Sequence, residues 1–168
     1  MTALTLRRAT EADLPFVMAT ERREGYDALV GRWDEARHQA ALHDGRHAYF
    51  LGQAGAAPVG FAILRDWASE DRVTLIKRIA VAEPGQGWGR LLLARVVEAA
   101  FRETPAHRLW LGVFPENPRA RRAYEAVGFV AEGVARGSAF FGGLHRDELT
   151  MAILRPDWEK AQARHPPA

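Results

Sequence analysis

Three glycines at alternate positions, Gly85, Gly87 and Gly89, separate a strong strand from the best helix in the chain. The strand runs over Val73–Val81, and its centre holds Lys77 and Arg78, so one of its faces is not simply packed in a core. The helix runs over Leu91–Thr104, with an N-terminus at about 88. Its charges Arg90, Arg95, Glu98 and Arg102 fall on one side, and Leu93, Val96, Val97, Ala100 and Phe101 on the other. A strand, a glycine turn and an amphipathic helix in this order demand a sheet with helices packed on it. Alternating glycines also let the backbone turn its N–H groups into one concavity beside the positive end of the helix.

That concavity fits a phosphate, and three phosphate loops compete with an ordinary tight turn. A Walker A loop ends in Gly-Lys-Ser/Thr, whereas Gly89 is followed by Arg90-Leu91. A dinucleotide fingerprint needs G-x-G-x-x-G, and Gly85-x-Gly87-x-x arrives at Arg90. The third is a pyrophosphate loop for coenzyme A. The segment alone favours a phosphate site only slightly over a packing turn.

The rest of the chain switches period repeatedly. Leu4–Arg8 alternates as a strand. Thr10 offers an N-cap for a helix from about Glu11 to Glu24, with Asp13 three residues on and Pro15 near its start. A second helix is expected from Trp33 to Leu42, with Trp33, Ala36, Ala40 and Ala41 on one side. Ala48–Gln53 and Val59–Asp66 form a hairpin around Gly55 and Pro58. Arg108–Val113 is a strand. Asn117-Pro118 opens a short helix over 118–126 that stops at Gly128. Phe129–Arg136 and Asp147–Leu154 are two last strands, and the polar tail from Pro156 to Ala168 is expected to be loosely held.

Composition narrows the chemistry. The 168 residues suit one domain, and the absence of cysteine excludes a disulfide framework, a thiolate nucleophile, an iron–sulfur cluster and a cysteine-ligated zinc. The net charge of +2 gives no basic arm for nucleic acid. Residues 1–75 carry 9 Arg against 11 acids, and residues 76–168 carry 14 Lys+Arg against 10 acids, so an anionic ligand belongs with the second half. His38, His43, His47, His107, His145 and His165 show no metal spacing, and no metal is expected. The start, MTALTLRRAT, lacks the apolar stretch of a signal peptide, and no run is long enough to span a membrane. A cytoplasmic domain is the expectation.

The second segment of interest is Asn117-Pro118-Arg119-Ala120-Arg121-Arg122-Ala123-Tyr124-Glu125-Ala126-Val127-Gly128-Phe129. Taken alone it is a capped helix with Tyr124 as packing. Taken with the glycine loop, it resembles the GCN5-related N-acetyltransferase (GNAT) superfamily. Asn117, Ala120, Tyr124, Gly128 and Phe129 match that family's Asn-x-x-Ala-x-x-x-Tyr-x-x-x-Gly-Phe segment. Arg-Asp-Glu-Leu-x-Met at 146–151 is similar to the last strand of members that acetylate proteins and small amines. The resemblance covers Val73 to about Leu154. Before that it rests on the order of elements and on the Arg-Arg-Ala-Thr-x-x-Asp opening from Arg7 to Asp13.

The resemblance implies an α/β (α+β) fold: a mixed, mostly antiparallel sheet of about seven strands, flanked by about four helices, with a splayed strand pair holding the coenzyme. It implies one domain over 1–168, in which 1–66 shape the acceptor site and 73–154 bind acetyl-CoA as co-substrate. The implied coenzyme contacts are Ile79, Ala80, Val81, Gly85, Gln86, Gly87, Trp88, Gly89, Arg90, Asn117 and Tyr124. The implied reaction is direct attack of a primary amine on acetyl-CoA, with Tyr124 as general acid. A homodimer through sheet edges is a further expectation.

Two departures bear on that reading. Pro84 stands at the head of the loop where many relatives carry Arg or Gln, and proline removes a donor. Gly112 stands where many relatives carry a carboxylate base. The base is therefore open among Glu116, Glu70, Asp71, Glu148 and a water chain, with Glu116 put forward. Glu21, Glu24, Asp27, Asp34 and Glu35 could draw a cationic amine, or could be helix surface. Two other functions compete: a non-catalytic acyl-CoA-binding module, for which Gly112 is the main support, and a nucleotide-phosphate-binding regulator.

Overall fold

The computed structural model describes residues 3–164. Seven strands form one sheet in the order β1-β2-β3-β4-β5-β7-β6. They are β1 (Leu4–Arg8), β2 (His47–Ala54), β3 (Ala57–Arg65), β4 (Val73–Val81), β5 (Arg108–Val113), β6 (Val130–Phe141) and β7 (Leu144–Leu154). Five α-helices accompany them: α1 (Leu14–Glu21), α2 (Glu35–His43), α3 (Trp88–Glu103), α4 (Pro118–Val127) and α5 (Arg155–Arg164). Every neighbouring pair is antiparallel except β4 and β5.

Period-2 alternation divides the core between the two faces of the sheet. Ala48, Phe50, Ala62 and Leu64 face α3, whose Leu92, Leu93, Val96, Val97, Ala100 and Phe101 are buried. Tyr49, Leu51, Phe61 and Ile63 face the other way, onto Leu14 and Val17 of α1 and Ala41 of α2.

Several expected boundaries move. The helix expected over Glu11–Glu24 is a 3₁₀ turn at Glu11–Asp13 followed by α1. Asp13 turns its carboxylate back onto Arg7 and onto the Thr10 N–H, 2.8 Å away, and Pro15 sets the new start. The second helix begins at Glu35, not Trp33, because Asp34 accepts from the Arg37 N–H and caps it. Its buried face is His38 and Ala41, while Ala36 and Ala40 are exposed. Strands β6 and β7 extend to a hairpin tip at Gly142-Gly143, well beyond the expected Arg136 and Asp147. Bulges between Ala131 and Gly133 and between Ala135 and Ala139 break the alternation that would have announced this hairpin.

The expected loose tail is, over Arg155–Arg164, the helix α5. Trp158 lies 5.3 Å from the Phe101 ring, and Arg155 donates to the carbonyls of Phe101, Thr104 and Ala106 at 2.8 Å each. Those carbonyls lie at and just past the end of α3, where a cation is favourable. The end of the tail, including His165, lies outside the described residues.

Candidate active site

Strands β4 and β5 pair only at Val73–Leu75 against Arg108–Trp110. Beyond Leu75 they part, and the gap exposes one backbone edge of β4. Ala82 N–H donates to Val59 across β3, while the Val81 carbonyl accepts from the Tyr26 hydroxyl at 2.8 Å. Successive peptide groups point to opposite sides, so Ile79 and Val81 present their backbone to the gap and Ala80 presents its own to β3. Of the three expected contacts on this strand, two have amides free for a ligand.

The glycine loop closes one end of the gap. Gly85 and Gly87 have φ of +92° and +81°, and Gly87 caps α3. The first intrahelical bond of α3 is Leu91 N–H to the Gly87 carbonyl, so the N–H groups of Trp88, Gly89 and Arg90 have no acceptor within the helix. A cavity of about 410 Å³ opens here, lined by Ile79, Ala80, Val81, Pro84, Gly85, Gly87, Gly89, Arg90, Asn117 and Tyr124 among others. A Cβ built on Gly89 meets nothing within 4 Å, so a side chain there would take ligand space without touching the fold.

Arg23, Arg90 and Arg119 also line this cavity, and none has a carboxylate within 4.0 Å among the described residues. Unpaired guanidinium groups beside a helix N-terminus suit a diphosphate. Gln86 and Trp88 do not line the cavity. Gln86 is exposed, and Trp88 packs against the core beneath α3.

A second cavity, of about 590 Å³, lies on the far side of Tyr124 and Asn117. The two cavities share Leu29, Val30, Ile79, Asn117 and Tyr124 as common wall. Tyr124 comes from α4, which Asn117 starts by accepting the Ala120 N–H at 3.2 Å and Gly128 ends in a left-handed turn. The Asn117 carbonyl is thus spent on the cap, leaving its amide NH₂ for the cavities. The Tyr124 hydroxyl makes no hydrogen bond among the described residues. Burial, and then the nearby Tyr26, push its pKa up to about 12, so it holds its proton throughout the working range.

The second cavity also contains the position of the missing carboxylate. A Cβ on Gly112 would stand 2.6 Å from Oε1 and 2.8 Å from Cδ of Glu148. Glu148 sits on β7, whose Thr150 pairs with Gly112, and its carboxylate lies where a side chain on β5 would otherwise reach. Ser138 on β6 donates to Glu148 Oε2 at 2.8 Å and steadies it. The other candidates lie elsewhere. Glu116 does not line either cavity; it is exposed and paired with Arg146 at 3.1 Å. Glu70 and Asp71 sit in an exposed turn after β3.

The acids of the first half do not form a cation trap. Asp27 alone of the five lines the second cavity, and it is paired with Arg32 at 2.9 Å. Asp34 caps α2, Glu35 accepts from Gln39, and Glu24 is exposed. Glu21 is fully buried. Its Oε1 accepts from His38 Nε2 at 2.9 Å and from the Trp33 N–H, and its Oε2 accepts from Arg78. His38 completes the chain with Tyr49 at 2.9 Å. Burial pushes Glu21 up, but the His38 bond and the Arg78 charge outweigh it and leave the carboxyl below its ordinary value. Neither this buried network nor Tyr26, Arg23 and Arg119 was foreseen from sequence. The one available signal was the Lys77-Arg78 pair in mid-strand.

A strand, glycine loop and helix opening onto a splayed sheet, with a tyrosine between two cavities, define a coenzyme-A-type acyltransferase scaffold. The sequence pattern of the acetyltransferase (GNAT) family matches residues 11–129, and the chain belongs to that family. A probable N-acetyltransferase of Bacillus subtilis, YjcK, is 38% identical over 79 residues, 47% of this chain and 44% of its own. The spermidine N(1)-acetyltransferase of Vibrio cholerae is 36% identical over 77 residues, 46% of this chain and 44% of its own. The match thus spans less than half the length of either curated relative. Over the whole fold, the crystal structure of spermidine N-acetyltransferase from Vibrio cholerae in complex with CoA and spermine superposes with a TM-score of 0.82. That likeness has 25% identity and covers 95% of this chain and 99% of the other. Among the described residues no helix is long and apolar enough to cross a membrane, and no cluster of three metal-ligating side chains occurs.

Proposed function

We propose that this chain is an acetyl-CoA-dependent N-acetyltransferase acting on a primary amine by direct transfer. The observation that carries it is the meeting of two cavities at Tyr124, with Glu148 over Gly112 on the acceptor side. The coenzyme lies in the smaller cavity, its diphosphate against the loop at 85–90 and its arm along the free edge at Ile79 and Val81. A gap-facing amide of that edge holds the thioester oxygen as charge develops there. Glu148 accepts the proton of the attacking amine. Tyr124 gives its proton, or a hydrogen bond, to the departing thiolate.

The non-catalytic module loses its main support, because Glu148 supplies from β7 the carboxylate that Gly112 lacks. Pro84 lines the coenzyme cavity without an N–H, and Arg23, Arg90 and Arg119 offset that missing donor. A homodimer through a free sheet edge is part of the proposal, and β6, with Val130 and Val134 exposed, is the edge we favour. So is a cytoplasmic location, where acetyl-CoA is the common acyl donor. The test is thiol release from acetyl-CoA with a panel of amines, paired with a thermal-shift titration of CoA. CoA that binds with no amine turned over would restore the module reading, and ATP that protects better than CoA would favour the nucleotide-binding regulator.

A further inference from the structure

The second cavity has the wrong charge for a polycation. Its wall holds Asp27 with Arg32, already paired at 2.9 Å, and Arg78, whose partner Glu21 lies behind it in the core. What remains is Arg37, Lys77 and Glu148. Neither Arg37 nor Lys77 has a carboxylate within 4.0 Å among the described residues.

Arg78 is built to present charge there. Its side chain is only 6% exposed, and Nη1 goes to Glu21. Its Nη2 makes no hydrogen bond among the described residues, and no buried side-chain nitrogen is left without a partner, so Nη2 is reached from the cavity. Gly31 makes the room: its φ is not left-handed, yet a Cβ there would stand 2.8 Å from Nη2. Lys77 joins Arg78 through a bulge. Ile63 pairs with Arg78 and Leu64 with Ile76, which leaves Lys77 as the extra residue. A bulge of this kind re-aims neighbouring side chains, and both residues line the one cavity. Burial, then Arg78, Arg65 and Arg37, push the Lys77 pKa down, and the opposing pull of Glu148 does not offset them.

We propose that the acceptor is a small primary amine carrying an anionic group, a carboxylate or a phosphonate, which is seated on Arg78, Lys77 and Arg37 with the amine toward Glu148. This rests on the acetyltransferase reading and narrows its acceptor. It departs from the polyamine named for the Vibrio relatives, since Arg37 and Lys77 repel a second cationic end.

The experiment compares matched acceptors with acetyl-CoA: an ω-amino acid, its carboxamide, an aminoalkylphosphonate of equal length, and spermidine. The acid or the phosphonate should be turned over at least tenfold faster than carboxamide and spermidine, and the faster of the two fixes the anion. Lys77→Gln and Arg37→Gln, both in the cavity wall, should each lower the acid-to-carboxamide ratio of kcat/KM by about tenfold or more, the usual size of a hydrogen bond to a charged group. A lost packing contact would slow acid and carboxamide alike and leave the ratio unchanged. Spermidine outrunning the acid, equal rates for acid and carboxamide, or no acceptor turned over while CoA binds would each overturn the anionic acceptor. CoA failing to bind would overturn the acetyltransferase reading itself.

Discussion

Replacing Gly112 by alanine tests the placement of Glu148 without touching its chemistry. The added Cβ would lie 2.6 Å from Oε1, and an ordinary contact begins at 3.4 Å, so the carboxylate must retreat by about 0.8 Å. The backbone accepts alanine, because Gly112 is not among the positive-φ glycines. The obstacle is the free end of a flexible side chain, so the sheet need not move. At most the Ser138–Glu148 bond is lost, a net of about 0.5–1.5 kcal/mol, against a gain of about 0.5–1 kcal/mol for removing a strand glycine. The melting temperature should therefore stay within about 2–4 °C of the parent.

Activity should respond far more. A displacement near 1 Å at the reacting centre costs up to ~100-fold, so kcat/KM should fall by roughly 10–100-fold, or about 1.4–2.8 kcal/mol in the barrier. CoA binding should not change. Raising the pH should recover part of the loss, since an amine already deprotonated by solvent needs no base. The assay is thiol release from acetyl-CoA across pH, beside thermal shift with CoA. Glu148→Gln, which keeps the shape, should lose ~10²–10⁴. A folded Gly112→Ala protein with full activity across pH would refute the assignment of Glu148.

Tyr124→Phe keeps the ring that packs 6.3 Å from Phe129, and should lower turnover by ~10²–10⁴ with CoA binding intact, as read by the same two assays. Gly89→Val should fold, because its Cβ meets no neighbour, yet shift the CoA titration midpoint upward by filling the cradle. CoA affinity should weaken steadily with salt, because Arg23, Arg90 and Arg119 are unpaired partners for several phosphate charges; calorimetry at rising ionic strength checks it. Glu21 is held below its ordinary 4.5, so its contribution to stability is present above that pH and is lost as pH falls through its depressed folded value. Denaturant titrations between pH 6 and pH 3 should show that acid slope lessened in Glu21→Gln.

The strand, glycine loop and helix from Val73 to Glu103, and α4 after them, were legible because their physics is local. Val73–Val81 and Arg108–Val113 are found where their apolar, β-branched runs put them, and Asn117, Pro118 and Gly128 punctuate α4 by their own backbone preferences. Gly87 was legible for the same reason, as a residue that alone tolerates the left-handed turn before α3. The second cavity was not, because it is assembled from distant pieces. Glu148 becomes a partner of Gly112 only through the β5–β7 register, and Glu21 meets Arg78 across 57 residues. The Trp88 ring covers the core, so what the loop offers at that position is its backbone N–H. The tail misled because α5 has little amphipathic signal and is held by Trp158 and by Arg155 at the end of α3.

The Glu21–Arg78 pair places buried charge beneath the second cavity. Burying a carboxylate and a guanidinium costs several kcal/mol per ion, and an apolar group of the same volume is often no less stable. The pair is therefore a poor device for stability alone. Its geometry is specific instead. Glu21 comes from α1, His38 from α2, Tyr49 from β2 and Arg78 from β4, so four elements are keyed to one carboxylate. The Trp33 ring then takes both Arg37 and Arg78, with guanidinium carbons 4.2 and 4.7 Å from its centroid. Truncating one partner would leave an unpaired buried charge, at a cost of about 3–5 kcal/mol, which sets how firmly Arg78 is held. The same bonds leave its other nitrogen facing the cavity. Strand β4 has lost its neighbour beyond Leu75, and this network holds the Arg78 side of the second cavity while Leu111, Gly112 and Val113 of β5 line it from across the gap.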